Sequence, residues 1–298
     1  MKKILLLLFI GITSSTSFFA QQDKAIEKLK MLYADEEYQD CAHDAIALSA
    51  IKKHKNKPAI YIYASMSCLR IFQENDMKIT FKKSFTDALS YAGKYRKKDK
   101  DGLLYPDYIA HFEELKSLVT EEIENFLLEE RKAKIYKSAK KSLGLMKKIN
   151  KMDPDDKGAI LLRGLLEIKS QNKMEGKKII KEILPQLKTL KMTRDDIPKP
   201  KELTPEEKKA LAKKRKKAKE KIFPGKKIRP FEEMSEMEQV NLRVGLIEYA
   251  EYLLKKKKVE EAQEVIEIGK PFFLNENEYY LRDYDIEYKK TYNKVMNG

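Results

Sequence analysis

The side chains able to do chemistry are few and scattered. Three histidines occur, His43, His54 and His111, and none forms a helical-spaced ligand pair with a cysteine or another histidine. Cys41 and His43 are two residues apart and face different ways on a helix, so they make no metal pair. Three Ser-x-x-Lys strings occur, at Ser49/Lys52, Ser138/Lys141 and Ser170/Lys173. Such a string can mark a serine nucleophile with a lysine base. Here all three fall late in or just after amphipathic helical patterns, without a Ser-Asp-Asn or Lys-Thr-Gly companion, about as often as chance supplies in so lysine-rich a chain. Carboxylates are abundant but interleaved with lysines as a solvated face. No glycine-rich loop is present to cradle a phosphate. The expectation is a protein with no catalytic residue, no metal site and no cofactor.

Three other features stand out, two of them candidates for binding and one for a disulfide. Between Lys199 and Arg229 stand fourteen basic and four acidic residues, about +10 of a total of +15. Lys208, Lys209, Lys213, Lys214, Arg215, Lys216 and Lys217 are its candidate contacts for an anionic surface, either an acidic partner or phosphate-bearing headgroups. The rival reading is a solvated helix on a loop. Nucleic acid is not expected, because no aromatic residues interleave the lysines to stack on bases. Lysine also outnumbers arginine, which favours diffuse attraction over forked recognition, although codon bias alone can produce that excess.

The second feature is Tyr280, Tyr284, Tyr288 and Tyr292, spaced by four and therefore on one slowly drifting helix face. These rings either cap the last apolar surface or form an aromatic strip for a partner. The third is Cys41 and Cys68, on neighbouring helices. They are either a disulfide or two buried thiols filling small core positions.

The elements that must hold these residues are helices. Phe81, Phe85, Ala88, Ala92 and Tyr95 recur at helical spacing, as do Tyr108, Phe112, Leu115, Val119, Ile123 and Phe126. Asp107 is a candidate N-cap for the second run. Tryptophan is absent, glycine and proline are sparse, and helix formers dominate, so the fold class is all-α. The helices read as antiparallel pairs at about 23–34 and 37–53, 58–74 and 77–98, 107–130 and 134–151, 157–171 and 173–190, and 235–256 and 259–271, with a last helix at about 276–296.

The chain opens with Met1-Lys2-Lys3, an apolar run from Ile4 to Ile12, then small residues and Phe18-Phe19-Ala20-Gln21-Gln22. This reads as a secretory signal peptide cleaved after Ala20 or a few residues earlier. The run is too short for a spanning helix, which takes about 20 residues, and no transmembrane segment is expected in the mature chain. The expected organisation is 1–20 signal peptide, 21–191 helix pairs, 192–232 basic insertion, and 233–298 a final pair with a capping helix.

Four second helices share a motif: Tyr38-x-x-Cys41-x-x-x-Ala45, Phe85-x-x-Ala88-x-x-x-Ala92, Tyr136-x-x-Ala139-x-x-x-Leu143 and Val259-x-x-Ala262-x-x-x-Ile266. This resembles the second helix of a tetratricopeptide repeat, in which a small residue sits where two helices cross. Met152-Asp153-Pro154-Asp155-Asp156 adds the proline-marked turn after the third copy. The resemblance implies a stacked α-solenoid that scaffolds protein–protein interactions. The spacing from Cys41 to Ala88 is 47 residues and from Ala88 to Ala139 is 51, against a family period of about 34. A non-repetitive bundle is the alternative.

The signal sequence looks like those of low-GC Gram-negative bacteria, whose gliding and type IX secretion machinery has periplasmic parts of this helical-repeat kind. By that analogy the expected partners are outer-membrane or secretion-machine proteins in the periplasm. The competing functional expectation is a helical hydrolase or ligand-binding bundle acting on cell-wall or lipid material.

Overall fold

The computed structural model describes residues 24–74, 83–99, 102, 104–132, 136–190, 230–274 and 283–297. Among them are eleven α-helices, two single-turn 3-10 helices and no strand. The chain divides into two units, residues 1–105 and 106–298.

In the first unit, α1 (Lys24–Ala34), α2 (Tyr38–Ala50), α3 (Pro58–Gln73) and α4 (Ser84–Lys98) pack as two pairs, and α3 also touches α1 and α2. Pro58 starts α3 at the one place where its missing N–H costs nothing. Leu29, Cys41, Ala45, Ile60 and Ala64 form one buried cluster. The Ser65 hydroxyl donates to the Ala88 carbonyl at 2.7 Å, joining α3 to α4 where small side chains let the backbones approach.

The second unit holds α5 (Ile109–Lys132), α6 (Tyr136–Met152), α7 (Lys157–Lys169), α8 (Lys173–Lys188), α9 (Glu236–Lys255), α10 (Val259–Phe273) and α11 (Asp283–Asn297). Of the stripe its spacing predicts, Phe112, Leu115, Val119, Ile123 and Phe126 are buried, whereas Tyr108 is only half-buried and lies in the 3-10 turn before the helix. Asp107 differs from expectation. It lies inside a 3-10 turn, Tyr105–Tyr108, and the α-helix begins after it at Ile109. The basic insertion separates two stretches of one packed unit, because α7 and α8 on one side meet α9 and α10 on the other.

Two helices are enclosed on nearly every side. From Lys157 to Ile168, α7 is buried except at Arg163, and α9 is buried without a break from Val240 to Ala250. Their crossing is a backbone contact. A Cβ built on Gly158 would stand 2.1 Å from the Leu242 nitrogen and 2.3 Å from the Asn241 carbonyl carbon. Glycine is the only residue that fits there.

One turn recurs in three pairs. Glu36, Gln171 and Lys257 have φ of 61°, 70° and 59°, a left-handed conformation that non-glycine residues seldom take. After each, the next amide closes back on the helix just ended: Glu37 to the Leu32 carbonyl at 2.9 Å, Asn172 to Glu167 at 2.8 Å, and Lys258 to Leu253 at 3.0 Å. This is the six-to-one closure that satisfies helix-end carbonyls. Five residues beyond each left-handed residue stands a small buried one, Cys41, Gly176 or Ala262. Twelve residues before those stand Leu29, Gly164 and Ala250, all buried. In two of the three the paired positions touch closely. The Cys41 thiol donates to the Leu29 carbonyl at 3.4 Å, and a Cβ on Gly176 would lie 2.5 Å from the Gly164 carbonyl oxygen.

Candidate functional site

The residues singled out in the sequence fall in different environments. Lys208, Lys209, Lys213, Lys214, Arg215, Lys216, Lys217 and Tyr280 lie outside the described residues, as does the side chain of Tyr284. Tyr288 is not a surface residue; it is fully buried. Its ring sits 5.0 Å from that of Phe273, and its hydroxyl donates to the Ile266 carbonyl. Burial raises its pKa well above the ordinary range. Gly269 makes the room, since a Cβ there would stand 2.4 Å from the Tyr288 hydroxyl. Tyr292 is half-buried and donates to the Glu267 carboxylate, with the Lys270 ammonium 5.5 Å from its ring centre. These two rings thus fasten α11 to α10.

Cys41 and Cys68 are both buried thiols with no bridge between them. The Cys41 thiol is turned toward α1 through its bond to Leu29. Burial pushes the Cys68 thiol up to about 12, with Asp87 adding to the rise. Of the Ser-x-x-Lys serines, Ser49 donates to the Ile46 carbonyl of its own helix at 2.8 Å, Ser170 is buried at the end of α7, and the Ser138 side chain lies outside the described residues. Among the described residues no three His, Cys, Asp or Glu side chains converge as metal ligands.

A charged cluster that the sequence did not announce lies inside the second unit. Lys116 of α5 is 1 % exposed. Its ammonium lies 2.7 Å from Asp153, 3.2 Å from Glu113 and 3.8 Å from Asp156. Burial alone would lower the Lys116 pKa, but Asp153, Asp156, Glu238 and Glu113 more than offset this and hold it above its ordinary value. A lysine base or nucleophile needs a lowered pKa, and the shift at Lys116 runs the other way.

Asp156 is buried, which raises its pKa, while the Lys116 charge opposes the rise. It caps α7 through the Ala159 amide at 2.8 Å and accepts from the Asn241 side chain at 2.8 Å. Asn241 in turn accepts from Thr120 at 2.9 Å. The network therefore ties α5, the turn before α7, and α9. Glu167, at the far end of α7, is a second buried anchor. It pairs with Lys147 at 2.8 Å and accepts from the Asn172 side chain at 2.8 Å.

Two open clefts flank this frame. One, of about 660 Å³, runs between α5 and the start of α9 and is walled by Glu113, Glu114, Glu121, Glu124 and Glu236 above Met237 and Val240. Burial raises the Glu124 pKa, and the Glu287 carboxylate adds to it. The other, of about 590 Å³, lies where the turns after α7 and α9 come side by side. Ile168, Tyr249 and Leu253 floor it, and Lys173, Lys177, Lys256 and Lys258 rim it. Both arrangements can attract opposite charge to an apolar floor, and neither assembles a nucleophile with a base.

In comparisons with known proteins, the chain matches no family model, no curated protein and no solved structure.

Proposed function

We propose that this chain is an exported, non-catalytic scaffold of the Gram-negative periplasm, built as a tetratricopeptide-like stack of helix pairs that binds another envelope protein. The observation that carries this reading is the repeated pair geometry. Leu29 with Cys41, Gly164 with Gly176, and Ala250 with Ala262 stand twelve residues apart, each pair on helices joined by the same left-handed turn. A unit that recurs at one internal spacing supports a repeat whose helices stack edge to edge, and such stacks serve as extended binding surfaces. First helices pack on the next first helix at α1 on α3, α7 on α9 and α9 on α11, which supports this reading, while α5 departs from the pattern by meeting α6 and α9.

The recurrence is irregular along the chain, because residues 75–82, between α3 and α4, and residues 191–229 lengthen two of the intervals. The absence of a membrane-crossing helix among the described residues is compatible with a periplasmic mature chain. An accessory role in a secretion or gliding assembly is the form of this function that the signal sequence favours.

The test is affinity capture of the tagged chain, at native expression, from osmotically released periplasm and from detergent-extracted envelope. The proposal expects a mature chain beginning near Gln21 that brings down a defined envelope protein in fixed proportion. A chain found in the cytoplasm with its leader intact, or a free monomer in every fraction, would overturn it.

A further inference from the structure

The turn-edge groove between α7–α8 and α9–α10 has the features of a specific docking site. Its floor is apolar, with Ile168 7 %, Tyr249 9 % and Leu253 3 % exposed. Tyr252 extends that floor, its ring stacked on Tyr249 at 6.2 Å. The rim carries Lys173 and Lys177 from the first turns of α8, Lys256 from the end of α9, and Lys258 from the cap of α10. Lys258 is paired with Glu261, the one carboxylate on the groove. Lys173, Lys177 and Lys256 are exposed and have no carboxylate partner among the described residues. The Tyr249 hydroxyl likewise has no hydrogen-bond partner there, although its ring is almost wholly buried. Beside the rim, Met174 is 81 % exposed, the most exposed large apolar side chain among the described residues.

From this we infer that the groove binds an acidic peptide segment of a partner protein. Carboxylates on the peptide would meet Lys173, Lys177 and Lys256, and an aromatic or aliphatic residue would lie on Tyr249, Tyr252 and Leu253. Charge complementarity decides the sign: three lysines without a carboxylate partner face one carboxylate that is already engaged. The groove's size decides the class. At about 590 Å³ with an apolar floor, it exceeds what a lone phosphate fills, and a polypeptide covers both parts. Tyrosine with an open hydroxyl supplies contact area at low entropy cost, which is why it is favoured at interface centres.

The inference rests on the scaffold reading and names the chemistry of the partner. The experiment uses the full mature chain and a fluorescein-labelled decapeptide of glutamates around two phenylalanines, read by polarisation. Its arms are the same peptide with glutamine for glutamate, inorganic phosphate as competitor, and vesicles of anionic phospholipid as competitor. Two variants are compared: Lys173→Gln with Lys177→Gln and Lys256→Gln, and the five basic residues 213–217 all changed to glutamine. The inference expects saturable binding of the acidic peptide, at least tenfold weaker in the groove variant and in the glutamine peptide, and within twofold of wild type in the 213–217 variant.

Any of three results overturns it: no binding, loss only in the 213–217 variant, or full displacement by phosphate or vesicles. The replaced lysines are exposed, so the groove variant should melt with the wild type, and Tyr249→Phe offers a second, milder probe of the floor. If affinity capture recovers a partner while this peptide fails to bind, the groove assignment falls and the scaffold reading stands.

Discussion

Replacing Gly158 by alanine probes the tightest contact in the second unit. An alanine Cβ would sit 2.1 Å from the Leu242 nitrogen, 2.3 Å from the Asn241 carbonyl carbon and 2.5 Å from the Leu242 Cα. All three are backbone atoms of an enclosed helix, so no rotamer change relieves them. The helices must separate by about 1 Å, which disturbs the packing along their whole crossing. Overpacking of this kind costs about 1–3 kcal/mol and occasionally more. Alanine regains at most about 1 kcal/mol through helix propensity. With backbone as the obstacle the upper end applies, and the net loss is about 2 kcal/mol.

At roughly 2–4 °C per kcal/mol for a unit of this size, the melting temperature should fall by about 4–8 °C. Gly144 of α6 is the control, since a Cβ there meets nothing within 4 Å. Gly144→Ala should raise the midpoint by about 1–4 °C through propensity alone. Thermal melts followed by circular dichroism, with urea titrations alongside, read both. A Gly158→Ala protein melting at or above wild type would refute the α7–α9 crossing, whatever Gly144→Ala does.

Two further outcomes follow from the buried charges and thiols. Lys116→Ala leaves Asp153 and Asp156 buried without their cation, and should cost about 3–5 kcal/mol in urea unfolding; a loss under 1 kcal/mol would show that these carboxylates are solvated. Cys68, with its pKa raised from 9 to about 12, should react with a disulfide reagent at pH 8 at least a hundredfold more slowly than in urea. By the same linkage, this thiol favours the folded state below about pH 9 and loses that contribution as pH rises through about 12. Fast labelling of Cys68 in the native chain at pH 8 would contradict its burial.

The helices were legible because nearly every one carries an apolar stripe of helical period, such as Phe112 through Phe126. The pair register was only partly legible. Its turn residues are Glu36, Gln171 and Lys257, and no glycine marks them as left-handed. In the fourth pair the small crossing residue is Gly176, which the aromatic-x-x-alanine motif passes over. The spacing of Gly164 to Gly176, matched by Ala250 to Ala262, was the available signal. Helix α9 is enclosed by neighbours, so it has no polar face for a period to reveal.

Lys116 was invisible for a different reason. A lysine beside Leu115 reads as a solvated charge, and its main partner Asp153 is 37 residues away. In the sequence the Asp153-Pro154-Asp155-Asp156 turn is marked by its proline, whereas in the fold its two buried carboxylates, Asp153 and Asp156, carry the packing. Tyr288 and Tyr292 show that spacing by four identifies a face without telling which way the face turns. The lysine-rimmed groove needs two turns brought together from residues 168–177 and 249–261, and no local pattern records that juxtaposition.

The central claim, that this chain works by holding another protein, is most directly tested by crosslinking in intact cells of the native organism, followed by mass spectrometry of the linked peptides. The account predicts recurrent links from lysines of the second unit, Lys173, Lys177 and Lys256 among them, to one envelope protein at reproducible positions. Links confined to this chain itself, together with turnover of cell-wall or lipid material by the purified protein, would contradict it.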